Sequence, residues 1–267
     1  MELTRDQVQQ FEAFGFLRLK QPFTGPETAG IAAAANEVWA VELGRPPGET
    51  DCMSLPRIVE RHPRLTELLV LDDRLYQPLR QLLGNDMIWS GSEGNRGFEE
   101  GRTSHHWHAD RPGKRELGYL RIKVMIYLDP MRREHGAFRV IPGSHLPGFH
   151  ELLQPMQEAH VEGSPVFFGL DGADILCHAV ETDPGDAVLF SQNLFHAVYG
   201  KTGARRYIAL KFASRPRGDA DLASLDEWSP YAFEPHEAFV GSGDPRLREM
   251  VRGLADLGPR AASLPYP

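Results

Sequence analysis

From position 120 to 128 the chain alternates without a break. Leu120, Ile122, Val124, Ile126 and Leu128 fall on one side, and Arg121, Lys123, Met125 and Tyr127 on the other. A period of two marks a strand whose faces meet different surroundings. A helix would spread the same residues round its axis, so the middle of the chain is committed to sheet, with one face on a core and the other lining something chemically mixed. Residues 137–141, 187–190 and 206–213 read as further strands, punctuated by Pro142-Gly143 and Pro184-Gly185. Several short strands joined by such turns form a sandwich or a barrel.

The first third is helical instead. Thr4 and Gln7 form a capping-box pattern before Val8, Phe11, Ala13 and Phe14, and Gly15 ends that helix; residues 16–19 follow as a strand. Thr24 or Gly25, with Pro26 in the first turn, opens a second helix running to about Gly44 and carrying Ile31, Ala34, Ala35, Val38 and Val41. Residues 65–83 repeat the helical period, with a break expected at Pro78 and an end at Gly84. Residues 145–182 are less regular and read as a lid or insertion, and no second core is visible after Arg215. Without a repeat or a linker, 1–267 is expected to form one domain, mainly β with flanking helices and a helical N-terminal region.

A chain of 267 residues buries a core without disulfides, and Cys52 and Cys177 have neither metal-site nor redox-motif spacing. They point to a reducing compartment and receive no role. The 29 basic residues against 37 acidic ones leave a net charge of −8, which argues against nucleic acid or an anionic membrane surface as partner. No apolar run approaches the roughly 20 residues that span a bilayer. The expectation is a cytoplasmic protein acting on a small molecule.

The densest set of metal-binding side chains is Ser104-His105-His106-Trp107-His108-Ala109-Asp110. On a strand, residues two apart share a face, so His108 and Asp110 project an imidazole and a carboxylate toward one point. A third ligand must come from elsewhere, and His196 follows the apolar run 187–190. Two histidines and one carboxylate on one face of an octahedron leave three positions open, as non-haem Fe(II) oxygenases require. The pair His108 and Asp110 alone would more often be a surface hydrogen bond. His106 shares strand parity with His108, so His106, His108 and His196 form an alternative, zinc-type set belonging to a metal-dependent hydrolase. Arg205 and Arg206 open the strand 206–213. Parity places Arg206 with the apolar Ile208, Leu210 and Phe212, and Arg205 with the mixed face of Tyr207, Ala209 and Lys211. Arg205 is therefore the candidate to grip a carboxylate inside the fold, and Arg206 reads as a surface residue.

Trp107-His108-Ala109-Asp110, then residues 125–130 and 135–145, then Pro184-Gly185-Asp186 with His196 and Arg205-Arg206, together resemble the phytanoyl-CoA dioxygenase family over residues 1 to 215. The resemblance implies a double-stranded β-helix, the cupin-like jelly roll, holding Fe(II) and 2-oxoglutarate and using O₂. It implies His108, Asp110 and His196 as catalytic metal ligands and Arg205 as the cosubstrate anchor. Lys123 stands where some relatives place another cosubstrate contact. The implied reaction is oxidation of an unactivated carbon of a small molecule, in secondary metabolism, with release of succinate and CO₂. Relatives that transfer chlorine lack the carboxylate held here by Asp110, so hydroxylation, desaturation or ring formation is favoured over halogenation. A non-catalytic cupin-like binding protein would keep the barrel without needing the full set. Trp107, Tyr127, Phe167, Phe168 and Tyr199 are candidates for the pocket wall, although aromatic residues at such places are more often core.

Overall fold

The computed structural model describes residues 1–112 and 118–262. Helix α1 (Arg5–Phe14) starts at the Thr4–Gln7 capping box and stops at Gly15 in the left-handed conformation, as the sequence indicates. Strand β1 (Phe16–Leu19) leads into α2 (Gly25–Leu43), capped by Thr24 and burying Ile31, Ala34, Ala35, Val38 and Trp39. Val41 lies on the opposite, exposed side. After β2 (Met53–Pro56), the region 65–83 departs from expectation. It comprises α3 (Pro63–Thr66), a π-helical turn over Glu67–Leu71, and α4 (Asp73–Leu83). The break falls at Asp72, whose extended backbone and carboxylate cap α4, while Pro78 stays buried inside the helix. Packing of Leu75, Leu79 and Leu83 outweighs the one backbone bond that proline removes.

The remaining strands build two antiparallel sheets. Six strands order as β1, β10 (Ala187–Ser191), β5 (Arg121–Tyr127), β12 (Tyr207–Ala213), β3 (Ile88–Arg96) and β2. Four order as β4 (His105–His108), β11 (His196–Val198), β6 (Phe138–Val140) and β9 (His178–Val180). The alternation in β5 is used as anticipated: Ile122, Val124 and Ile126 join Ile208, Leu210 and Phe212 in the core beneath α2 and α4. Met125 and Tyr127 face the opposite way and pack with Phe138, Val140 and Phe190 between the sheets. The result is the jelly roll, a sheet closed over a second sheet with one interior wall.

The outer face of the smaller sheet is covered by α5 (Phe149–Leu152), α6 (Gln154–Val161) and a hairpin of β7 (Val166–Phe167) and β8 (Leu170–Asp171). Leu153, Met156, Phe167 and Ile175 from this segment bury Trp107, Phe195 and Tyr199. Residues 178–180, read from sequence as part of the insertion, are the edge strand β9 of that sheet. Past the barrel, α7 (Asp219–Trp228), α8 (Glu237–Val240), α9 (Pro245–Val251) and α10 (Leu254–Ala261) close one end.

Pro184-Gly185-Asp186 is a turn with a buried anchor. Gly185 has φ 96°, and a Cβ there would meet the Thr28 hydroxyl at 2.8 Å. The Asp186 carboxylate, fully buried, accepts from the Arg18 guanidinium at 2.6 Å, from the Gln21 N–H at 2.8 Å and from the Asp183 N–H at 2.9 Å. Removing one partner of such a set leaves the others unpaired, so Asp186→Ala is expected to cost about 3 kcal/mol in urea unfolding. A loss under about 1 kcal/mol would mean that water replaces the carboxylate.

Candidate metal and cosubstrate site

His108 ends β4, His196 begins β11, and the two are paired neighbours in the smaller sheet. Asp110 lies just beyond the end of β4. Its Oδ1 is 3.8 Å from Nε2 of His108 and 3.8 Å from Nε2 of His196. These separations are too long for hydrogen bonds and leave room for an ion between three converging atoms. Each imidazole is fixed from behind: Nδ1–H of His108 donates to the His106 carbonyl at 2.7 Å, and Nδ1–H of His196 to the Leu194 carbonyl at 2.9 Å. The backbone thereby selects the tautomer whose free lone pair is on Nε2.

Burial is the first influence on all three groups. It pushes His196 down to about 3 and lowers His108, so both imidazoles stay neutral and able to bind metal. Burial alone would raise Asp110, but the ammonium of Lys123, with its Nζ 3.1 Å from Oδ2, holds the carboxyl well below the usual range. Lys123 is itself held protonated, because Asp110 and Glu93 more than offset its desolvation.

The two arginines separate as parity indicates. Arg206 forms a two-point ion pair with Asp129, at 2.7 Å and 3.2 Å, beside an outer cavity of about 1020 Å³ that none of the three converging residues lines. Arg205 is buried; its Nε–H donates to the Gly136 carbonyl at 3.2 Å, and its guanidinium carbon lies 5.0 Å from the Tyr207 ring centroid and 5.8 Å from that of Tyr127. It forms no ion pair among the described residues. The Tyr127 hydroxyl, raised to about 12 by burial, lies beside the Arg205 guanidinium. A buried cation without a carboxylate partner, next to a phenol, is a fitting cradle for a carboxylate.

The alternative zinc set does not assemble. Opposite β11 the register slips, so His196 pairs with His108 but Val198 pairs with His105. Two residues, His106 and Trp107, thus oppose Ala197, and this bulge reverses the parity beyond it. His106 turns toward Phe167 and Tyr199, while His105 comes beside His108. Of the aromatic wall candidates, Tyr127 alone lies between the sheets; Trp107, Phe167 and Tyr199 pack under the insertion, and Phe168 is exposed at the hairpin tip with φ 52°.

Other contributors carry no motif. Arg111 and Asn193 bind the two ligand segments together, through Arg111 N–H to the Gln192 carbonyl at 3.0 Å and Asn193 Nδ2 to the Arg111 carbonyl at 2.9 Å. On α6, the Gln157 side chain accepts from the Ala109 N–H at 2.9 Å, midway between His108 and Asp110. Gln157→Ala is expected to weaken metal affinity about tenfold, measured by titration of the metal-free protein. Unchanged affinity would mean that β4 holds its ligands without help from α6.

Two facing antiparallel sheets, with two imidazoles and a carboxylate converging on the inner wall, define a cupin-like jelly-roll protein with a facial-triad arrangement. The chain belongs to the phytanoyl-CoA dioxygenase (PhyH) family, whose profile matches residues 11–207. It is 30% identical over 158 residues to the ectoine dioxygenase of Bordetella bronchiseptica, covering 54% of this chain and 50% of that protein. The chain thus spans about half the length of the curated relatives it matches. Its fold is similar to that of HygX from Streptomyces hygroscopicus, solved with nickel and 2-oxoglutarate bound, at TM-score 0.63 and 21% identity over 80% of this chain and 88% of that one. It is also similar to SnoK, a non-haem α-ketoglutarate-dependent carbocyclase from nogalamycin biosynthesis, at TM-score 0.57 and 18% identity over 79% and 84%.

Proposed function

We propose that the protein is an Fe(II)- and 2-oxoglutarate-dependent dioxygenase that oxidises, by hydroxylation, an unactivated carbon of a small molecule. The observation that carries this reading is the convergence of His108 Nε2, His196 Nε2 and Asp110 Oδ1, with both Nδ1 atoms tied to the backbone. His108, Asp110 and His196 would hold the iron, leaving three positions open. Bound there with 2-oxoglutarate and O₂, the metal supplies oxidative decarboxylation of the cosubstrate to succinate and CO₂, coupled to oxidation of a substrate C–H bond.

The protein's own residues bind and orient. Arg205 would take the far carboxylate of 2-oxoglutarate and Tyr127 would donate its O–H to the same group. Lys123 would serve as a further cosubstrate contact once the metal replaces it as the counter-charge of Asp110. The stretch at about 145–182, part of which packs over the outer face of β4 and β11, would serve as a lid or insertion of a single domain. The small-molecule class and a place in secondary metabolism agree with relatives named for ectoine and for nogalamycin biosynthesis. A cytoplasmic setting agrees with the described residues, among which no helix is long and apolar enough to cross a membrane.

Anaerobic addition of Fe(II) and 2-oxoglutarate to the metal-free protein should give the weak visible charge-transfer band of a chelated cosubstrate. Tight zinc binding without any such band would overturn the reading.

A further inference from the structure

Beside the Lys123–Asp110 contact, the inner wall of the larger sheet carries another pair of opposite charges. On β12, Lys211 stands directly opposite Lys123 of β5, and Ala209, two residues earlier on the same face, stands directly opposite Glu93 of β3. Ala209 packs between the two sheets, so Glu93, Lys211 and Lys123 all project inward. The Lys211 ammonium donates to the Glu93 carboxylate, as the Lys123 ammonium does to Asp110. Burial would raise the Glu93 carboxyl, but Lys123 and Lys211 together hold it below its ordinary value while Asp110 repels it, so the four groups share one field. The Lys211 and Glu93 side chains are 15% and 32% exposed, which makes the pair interior yet reachable from solvent. Gly91 opposes Lys211 without a side chain, and a Cβ there would first meet Tyr231, at 4.0 Å, so space is left next to the ammonium.

We propose that Glu93 and Lys211 are the handle by which the barrel holds its substrate, and that they take a small zwitterion of the amino-acid kind, its ammonium on Glu93 and its carboxylate on Lys211. The assignment of this guest as substrate rests on the oxygenase reading, which places the reaction at Asp110 and its neighbours. An interior ion pair adds little to stability over apolar residues of similar size, so stability alone does not account for one on this wall. The charges decide the class of guest. A metal ion and a cosubstrate carboxylate would engage Asp110 and Lys123, which leaves Glu93 and Lys211 with each other. A guest carrying a single charge would take one of them and strand the other inside the barrel, which is costly. A guest carrying both replaces one ion pair by two. Glu93 and Lys211 are in contact, so the two charges of the guest must lie only a few bonds apart.

Equilibrium dialysis tests the assignment, with the protein kept anaerobic in Fe(II) and 2-oxoglutarate and with the standard amino acids as probes, each beside its N-acetyl and methyl-ester forms. At least one free amino acid should be retained, and its two blocked forms should each bind roughly tenfold or more weakly, as loss of one charge-assisted contact requires. Glu93→Gln should abolish the advantage over the N-acetyl form, and Lys211→Met the advantage over the methyl ester. The double variant strands neither charge, so it keeps the test open where a single variant fails to fold, and it should lose both preferences. Retention of no free amino acid, blocked forms that bind equally well, or preferences that survive in the double variant would overturn the proposal. Charge-dependent retention in a protein that never gives the charge-transfer band would support the zwitterion site while the oxygenase reading falls. The band without such retention would overturn the handle alone.

Discussion

Replacing His108 by alanine is expected to abolish metal binding and succinate release together, with turnover falling by at least roughly a thousandfold. The metal supplies several kcal/mol of the chemistry, and each 1.4 kcal/mol is worth about a factor of ten. Iron binding requires three protein ligands, and Nε2 of His108 stands 3.8 Å from the Asp110 carboxylate with its other nitrogen already committed. Asp110→Ala should abolish turnover to the same extent for a different reason, since it removes the anionic ligand and leaves the Lys123 ammonium without its closest carboxylate. The measurement is succinate formation with and without added Fe(II) for both variants beside the unaltered protein. Retained turnover in both would dismiss the ligand assignment altogether.

Arg205→Ala is expected to raise the KM for 2-oxoglutarate by about a hundredfold while leaving kcat at saturation within a few-fold. A charge-assisted two-point contact to a carboxylate contributes about 1.5–3 kcal/mol, which corresponds to a factor of about ten to more than a hundred in affinity. The split between the constants follows from place. Arg205 touches Gly136 and two tyrosine rings and none of the metal-binding atoms, so its loss weakens holding without disturbing chemistry at the iron. Arg206→Ala should leave this KM unchanged, because its guanidinium is engaged by Asp129. Steady-state kinetics across 2-oxoglutarate concentrations decides the matter, and a higher KM for Arg206→Ala instead would exchange the roles of the two residues.

Much of this arrangement is legible from residue order. The period of two in 120–128 separates the residues that enter the helical core from those that line the barrel. Parity works there because β5 and β12 stay in register from Arg121↔Ala213 to Tyr127↔Tyr207. It fails in β4, where one extra residue brings His105 rather than His106 beside His108, and nothing in the local residue types announces the slip. Pro78 misleads for another reason: it states a local preference, while burial of its neighbours is decided by the whole fold. Gln157 is invisible beforehand because its partner, the Ala109 N–H, lies 48 residues away along the chain.

The Lys123–Asp110 contact has a consequence for how such a protein comes to life in a cell. A carboxylate shut inside a barrel with no cation would oppose closure by several kcal/mol. Here the polypeptide brings its own positive charge to that carboxylate, 13 positions further along the chain. The barrel can therefore close before any ion arrives, in contrast to small zinc domains that stay unfolded until loaded. Folding would then not wait for metal supply, and an ion bound at Asp110 would take over the counter-charge that the Lys123 ammonium provides rather than drive the fold.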